Sequence, residues 1–378
     1  MVDPTSTLDV VAVPDFSTPA RTALFEARTL FFLASWLENA GGASAFPLRL
    51  ACIGAPPASV RTLAAACRAE IVVCEPLGLE GGRVTANKLR GLEMPSSSGR
   101  VLMLDTDLFI LGDFSALARE IPSGLAAAPA GSKWVPEALW QRIYPHLGLP
   151  VPTERAALLR AEYGLVPGGQ ITREEFGRTT DLRKMLPYYN SGVFLAPSGA
   201  GLREVWAEHL ERLADLFLAK VPAGGERTRS PWAKLLGAWR GTQDRLAGRA
   251  EKYPRSVTTC DQASFSTALQ QLRADGVPFQ RLPDVYHSRR LHCQAGRLRF
   301  DEMKIYHATG FLRLGKNERW DLPRALDHGI HQWQESLRAG GRLRDAAQAN
   351  NDAARAGEFL TRLYRDHVRP ALAGQSRR

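Results

Sequence analysis

Apolar and polar positions alternate in blocks along the first hundred residues. "LDVVAVP" (8–14) sets four apolar residues in a row and stops at Pro14, the pattern of a strand buried on both faces. "TPARTALFEARTLFFLASWLENAGG" reads as a helix, with Thr18 as N-cap, Pro19 in the first turn and Gly41 ending it. "FPLRLACIG" then reads as a strand, "PPASVRTLAAACRA" as a helix, "EIVVCEP" as a strand, "ANKLRGLEM" as a helix and "RVLMLDTD" as a fourth strand. Alternation of this kind predicts a mostly parallel sheet with helices on its faces. Ligands of such sheets bind beyond the carboxyl ends of the strands, where the strand order reverses.

The fourth strand carries an oddity. "RVLMLDTDLFILGDF" (100–114) places two carboxylates inside an otherwise apolar run. In extended backbone, residues two apart point to the same side, so Asp105 and Asp107 are expected to converge. Two anions held close repel unless a cation or hydrogen-bond donors compensate them. A hard divalent ion such as Mg²⁺ or Mn²⁺ would do so and could bridge to a diphosphate. The chain's eighteen Asp give about one Asp-x-Asp by chance, so the tripeptide alone says little. The apolar strand running into it says more.

Composition narrows the class. A chain of 378 residues suits one large domain with insertions, or one domain plus an appendage. No apolar run approaches the roughly 18 residues that cross a bilayer; "TLFFLASWL" is too short. The start lacks a basic n-region and a small-residue cleavage site. The five cysteines are scattered and without metal spacing, which fits a reducing compartment. These features predict a soluble, cytoplasmic protein. The net charge of +10 comes from 41 Arg and eight Lys against 39 acidic residues. No nucleic-acid-binding signature accompanies it, so the basic balance points instead to anionic ligands such as diphosphates, or to an acidic partner.

Three later segments follow "VLMLDTDLFILGDFSAL" in order: "YYNSGVFLAP", "TCDQASFSTAL" and "KIYHATGF". Together the four resemble glycosyltransferase family 8, the glycogenin and lipopolysaccharide galactosyltransferase group. "VLMLDTDLFILGDFSAL" is similar to that family's metal strand and loop, and "YYNSGVFLAP" (188–197) to its Asn-Ser-Gly strand. "TCDQASFSTAL" (259–269) is similar to its Asp-Gln segment, and "KIYHATGF" (304–311) to its closing His-x-x-Gly element. The resemblance implies a GT-A fold (α/β, Rossmann-like, with a mostly parallel sheet flanked by helices), a UDP-sugar donor, a divalent metal, usually Mn²⁺ (or Mg²⁺), and retention at the anomeric carbon. It implies Asp105, Asp107 and His307 as metal ligands, with Thr106 between the two carboxylates in the donor site. It places Asp261 on the donor-sugar hydroxyls and Gln262 near the anomeric carbon. Asn190 and Ser191 would line the sugar and acceptor site, and Gly310 would let backbone approach the diphosphate. A lone His or a helix-capping Asp has a structural reading too, and for Asp261 both readings can hold together.

The chain also departs from the family. The closing lysine that grips the diphosphate is replaced in "HATGFLRLGKNERW", where Arg313 keeps the spacing and Lys316 keeps the residue type. At the base site "VPDFSTP" offers Asp15 and Phe16 without the family's tyrosine, and Lys88 is a further nucleotide candidate. A domain over 1–323 is expected, with insertions at about 115–186 and 220–256, followed by an Arg-rich helical extension over 324–378. That extension holds ten Arg against six acidic residues and could pair two chains into a homodimer. Trp134, Trp140, Tyr144, Trp232 and Trp239, in the insertions, could stack on an acceptor glycan, small molecule or peptide, although core packing is the commoner fate of such rings. Two other classes compete. A haloacid-dehalogenase-like phosphatase would use Asp105 as nucleophile, but its Asp-x-Asp strand normally lies near the N-terminus and is followed by a later acidic pair. A non-catalytic protein of the same fold would bind a partner only.

Overall fold

The computed structural model describes residues 7–78, 84–129, 137–153, 156–158, 183–218, 261–289, 292–293, 298–308, 311–312, 321–341 and 345–374. Its strands are β1 (Asp9–Ala12), β2 (Leu48–Ile53), β3 (Glu70–Cys74), β4 (Arg100–Leu104), β5 (Leu108–Ile110), β6 (Leu125–Pro129), β7 (Ala156–Leu158), β8 (Arg183–Met185), β9 (Tyr189–Pro197), β10 (Phe279–Arg281), β11 (Ser288–Arg289) and β12 (Ile305–His307). Seven of them form the central sheet in the order β10-β6-β9-β4-β1-β2-β3. Neighbouring pairs are parallel except those made by β9, which runs antiparallel to β4 and β6. Strand order reverses between β1 and β4, so the crevice expected of an α/β sheet opens beyond those two strands. Residues 125–129, inside the range read as an insertion, supply β6, which lies between β10 and β9 in the central sheet.

Strand and helix positions in the first hundred residues follow the sequence pattern closely. The first helix, α1, spans Pro19–Asn39, and a second spans Ala58–Ala66. Thr18 holds the N-cap position in extended backbone, yet its side chain accepts no capping bond. The α-helix expected over 86–94 is instead a 3₁₀ helix, Val84–Glu93, rich in residues of weak helix propensity such as Val84, Thr85, Asn87 and Gly91.

Successive residues of the buried strands feed opposite faces, as the pleat requires. Val10 belongs to a core shared with Leu30, Phe31 and Trp36 of α1, whereas Val11 belongs to one shared with Phe194, Trp206 and Phe265. The two C-terminal helices, Leu322–Gly341 and Ala346–Leu363, send Trp333 and Phe359 into the first of these cores. Trp333 stacks on Tyr306 at 4.3 Å and on Phe109 at 5.7 Å. These helices therefore cover a second, three-stranded sheet of order β11-β12-β5. Among the described residues, no helix is long and apolar enough to cross a membrane. Trp140 and Tyr144 pack in the core, and Trp134, Trp232 and Trp239 lie outside the described residues.

At the start of β1 the fully buried Asp9 is held by four bonds from one serine run. Ser96 Oγ, Ser98 N and Ser98 Oγ donate to its Oδ2 at 2.9, 2.8 and 2.7 Å, and Ser97 Oγ donates to Oδ1 at 3.1 Å. Burial pushes this carboxyl up, but the Ser98 and Arg49 donors outweigh it and leave the pKa at about 2. Because the folded value lies below the ordinary 3.8, the stabilisation is complete above that value and fades as pH falls toward about 2. Asp9→Asn should cost about 2 kcal/mol at neutral pH, with the deficit shrinking in acid. Urea melts of both proteins across that range would reveal the narrowing gap, and a deficit independent of pH would contradict it.

Candidate active site

The two aspartates do not lie in one strand. β4 ends at Leu104, the chain bends through Asp105-Thr106-Asp107, and β5 then joins the other sheet. The apolar run is therefore two strands of two sheets, and the polar tripeptide marks the crossing. Each side of the bend brings its own partner. Leu104 pairs with Val193 in β9, and the next residue, Asp105, donates its N–H to Gly192 O at 2.8 Å. On the other side Leu108 pairs with His307 in β12, and Ala308 N donates to Asp107 O at 2.9 Å. Register alone thus sets His307 beside the carboxylates.

His307 Nε2 lies 3.3 Å from Asp107 Oδ1 and 3.8 Å from Asp105 Oδ2. One donor atom from each of the three residues falls within 4.8 Å of the others, a set that could hold a metal ion. Two carboxylate oxygens and an imidazole nitrogen are a donor set that suits Mn²⁺. Gly192 is needed for this approach: a Cβ there would run into His307 and come within 2.8 Å of both Asn190 Oδ1 and Asp105 Oδ2.

Three carboxylates and two cations share the site. Lys88 Nζ, projecting from the 3₁₀ helix, sits 2.8 Å from Asp105 Oδ1, 3.3 Å from Ser191 Oγ and 3.9 Å from Asp261 Oδ2. Burial pulls the Lys88 amine down, but the carboxylates of Asp105 and Asp261 more than reverse this, so it stays charged. Arg28 Nη1, from the inner face of α1, lies 3.5 Å from Asp107 Oδ2, and its Nε and Nη2 donate to Phe311 O at 3.0 and 2.7 Å. For Asp107 burial pushes upward, but Arg28, His307 and Lys88 hold the carboxyl far below the usual range. Counting Asp105, Asp107 and Asp261 against Lys88 and Arg28 leaves about one net negative charge, which a divalent ion would turn into one net positive charge suited to an anionic ligand.

Asn190 and Ser191, the second and third residues of β9, lie next to this cluster. Asn190 Oδ1 accepts from Gly192 N at 2.7 Å, and Ser191 Oγ donates to Asp261 Oδ2 at 3.3 Å. Asp261 and Gln262 open the helix Asp261–Ala274, and Tyr188 OH donates to Gln262 Oε1 at 3.1 Å. Thr106 is buried within the bend. Asp15 follows β1 and is already engaged: its Oδ1 accepts from Ser17 N and Oγ at 3.0 and 2.6 Å, and its Oδ2 from Arg21 and Asn87 at 3.1 and 3.3 Å. Phe16 lines an open hollow of about 460 Å³ with Ser17, Thr18, Thr22 and Glu26; neither His307 nor the three clustered carboxylates line it. Gly310, Arg313 and Lys316 lie outside the described residues.

Two residues that the sequence reading missed contact the cluster. Arg28 carried a usable signal, a lone charge on the apolar face of α1 between Leu24 and Phe31-Phe32. His287 carried none: in "DVYHSRRLH" it is one more isolated histidine. It is fully buried, and its Nε2 stands 3.0 Å from His307 Nδ1. Burial first, then the nearby Arg289, His307 and His292, push its pKa well below the ordinary value, so the ring is neutral.

A two-sheet α/β frame, with an Asp-Asp-His cluster at the reversal of strand order, defines a metal-capable ligand site of the kind the family resemblance implies. Residues 25–165, which include Arg28, Lys88, Asp105 and Asp107, match the model of the Rhodobacterales glycosyltransferase domain. No curated protein matches the chain in sequence. Similar solved structures include mouse xyloside xylosyltransferase 1 in its apo form, at 16% identity over 80% of this chain and 97% of that one, with a TM-score of 0.37. The galactosyltransferase LgtC in complex with donor and acceptor sugar analogues is 12% identical over 94% and 95% of the two chains, with a TM-score of 0.39. The glycosyltransferase GlyE of Streptococcus pneumoniae is 13% identical over 91% of this chain and 63% of that one, with a TM-score of 0.38.

Proposed function

We propose that the protein is a retaining, divalent-metal-dependent glycosyltransferase of GT-A type that moves a hexose from a UDP-sugar to an acceptor hydroxyl. One observation carries the reading: Asp105, Asp107 and His307 converge where strand order reverses, and the two aspartates lie within residues 25–165, which match a glycosyltransferase domain. Asp105, Asp107 and His307 would hold Mn²⁺, and such an ion offsets charge on a diphosphate as its bond to the sugar breaks. The clustered side chains account for the rest. Lys88, held charged between Asp105 and Asp261, would bind an anionic donor oxygen, and Asp261 with Ser191 would accept and donate to sugar hydroxyls. Gln262 would sit at the anomeric carbon, oriented by Tyr188. Asn190 would line the acceptor side, while Asp15 and Phe16 would border the base. Gly310 would let the backbone approach the diphosphate closely.

Incubation of the protein with a UDP-sugar panel and Mn²⁺ should release UDP, and excess chelator should stop it. Turnover that survives the chelator rejects the metal. The product of an α-linked donor should be α-linked by NMR; a β-linkage rejects retention. A phosphatase of the haloacid-dehalogenase kind is disfavoured because β4 follows three strands and Asp105 shares its site with His307, so a generic phosphomonoester should not be cleaved. A non-catalytic protein of this fold would bind UDP and release nothing.

The cation that steadies departing UDP would come from the segment after His307. Arg313 keeps the family lysine's distance from that histidine, and its guanidinium can grip two phosphate oxygens at once. Arg313→Ala is expected to lower kcat by roughly 10²-fold at saturating donor, and Lys316→Ala by less. A larger fall for the Lys316 variant would reverse the assignment.

A further inference from the structure

His307 has two ring nitrogens with different neighbours, and only one can serve a metal. Its Nε2 faces Asp107 and Asp105 at 3.3 and 3.8 Å, while its Nδ1 faces His287 Nε2 at 3.0 Å. We propose that His287 is the positioning residue for His307, accepting a hydrogen bond from His307 Nδ1 and so presenting the Nε2 lone pair to a divalent cation between the aspartates. The inference rests on the metal reading of that cluster and deepens it.

The fold builds this contact from backbone register. β11 begins one residue after His287 and runs parallel to β12, with Ser288 opposite Tyr306 and Arg289 opposite His307. β12 is in turn antiparallel to β5, whose first residue, Leu108, follows the aspartate bend. In this register His287, one step before Ser288, is level with Ile305, so its ring meets that of His307 on the diagonal, while Asp107 immediately precedes Leu108, the residue opposite His307. A neutral imidazole carries one N–H, so for two facing ring nitrogens to bond, one must donate and the other accept. If His307 held its proton on Nε2, it would donate to Asp107 and could not give a lone pair to a metal. With the proton on Nδ1, His287 Nε2 must accept, and the His287 proton then sits on its own Nδ1. That atom is buried and has no hydrogen-bond partner among the described residues. A buried polar atom left unsatisfied is costly, and such costs concentrate at functional sites. A histidine kept only for packing would have no need of the 3.0 Å approach to a second imidazole. Metal-ligating histidines generally have the second nitrogen fixed in this way, usually by a carboxylate or carbonyl; here an imidazole takes that place.

The test uses the full chain, with Mn²⁺ alone as ligand. Free Mn²⁺ is followed by its EPR signal, and the bound ion is examined for magnetic coupling to an imidazole nitrogen. His287→Gln places an amide oxygen where Nε2 was and should keep both the affinity and the nitrogen signal. His287→Leu removes the acceptor and should weaken Mn²⁺ binding roughly 10–100-fold, with the nitrogen signal lost. His287→Asn, too short to reach His307, should behave like the Leu variant and carries the test if Leu does not fold. Metal-free melting temperatures control for general loosening. Full affinity with an intact nitrogen signal in the Leu or Asn variant overturns the role of His287 and leaves the metal site standing. A Gln variant as weak as the Leu or Asn variant also overturns it, because a polar acceptor would then not be what matters. If the wild-type protein binds no Mn²⁺, the metal reading itself falls, and the inference with it.

Discussion

Asp107→Asn is expected to cut glycosyl transfer by roughly 10²-fold or more and to abolish tight Mn²⁺ binding, with the fold retained. Asp107 touches both halves of the site's electrostatics: Oδ1 faces His307 at 3.3 Å and Oδ2 faces the Arg28 guanidinium at 3.5 Å. Asparagine keeps the shape of the side chain and an oxygen for Arg28 but withdraws the negative charge that would hold a divalent cation. Alanine is the poorer probe, because it would leave a buried guanidinium facing a void. Turnover at saturating donor, with Mn²⁺ titrated and the melting temperature as control, decides the matter. Near-normal turnover by the Asn variant at ordinary Mn²⁺ would show that this carboxylate is no ligand.

The largest stability loss is expected at Arg28. Its guanidinium is nearly fully buried, lies beside Asp107 and donates twice to the Phe311 carbonyl, so it ties α1 to the aspartate bend and to the chain just beyond β12. Arg28→Ala leaves the carbonyl without those donors and the carboxylate without its guanidinium. Breaking one side of a buried charged pair typically costs about 3–5 kcal/mol. Lysine keeps the charge but not the planar fork that addresses two acceptors, so Arg28→Lys should recover only part of the loss. Urea denaturation of the three proteins supplies the comparison. A deficit for Arg28→Ala below about 1 kcal/mol, the range of an exposed ion pair, would mean that the guanidinium is not structural.

Much of this molecule is written locally in its sequence. The runs 8–14 and 46–54 read as strands, and strands lie there, because a parallel strand covered on both faces needs consecutive apolar residues whatever its neighbours. The run 70–76 also holds a strand, although at the sheet's edge and only partly buried. Asp105 and Asp107 stand out for the same local reason, polar atoms in the middle of an apolar run. His307, Asp261, Asn190 and Ser191 were legible through motif order, which is also a property of the chain alone. Pairing decided the remainder. That "RVLMLDTDLFIL" is two strands of two sheets follows from β4 bonding to β9 while β5 bonds to β12, partners about 90 and 200 residues away, a choice made by long-range register and burial. Arg28 meets Phe311 across 283 positions and His287 meets His307 across 20, so neither contact leaves a periodic or spaced trace. The sequence by itself determined the alternation of elements and the carboxylate pair; only the tertiary structure decided that a second imidazole, His287, stands behind His307 and that the Arg28 guanidinium flanks the pair, because those contacts exist only once two sheets and a helix close on the same bend.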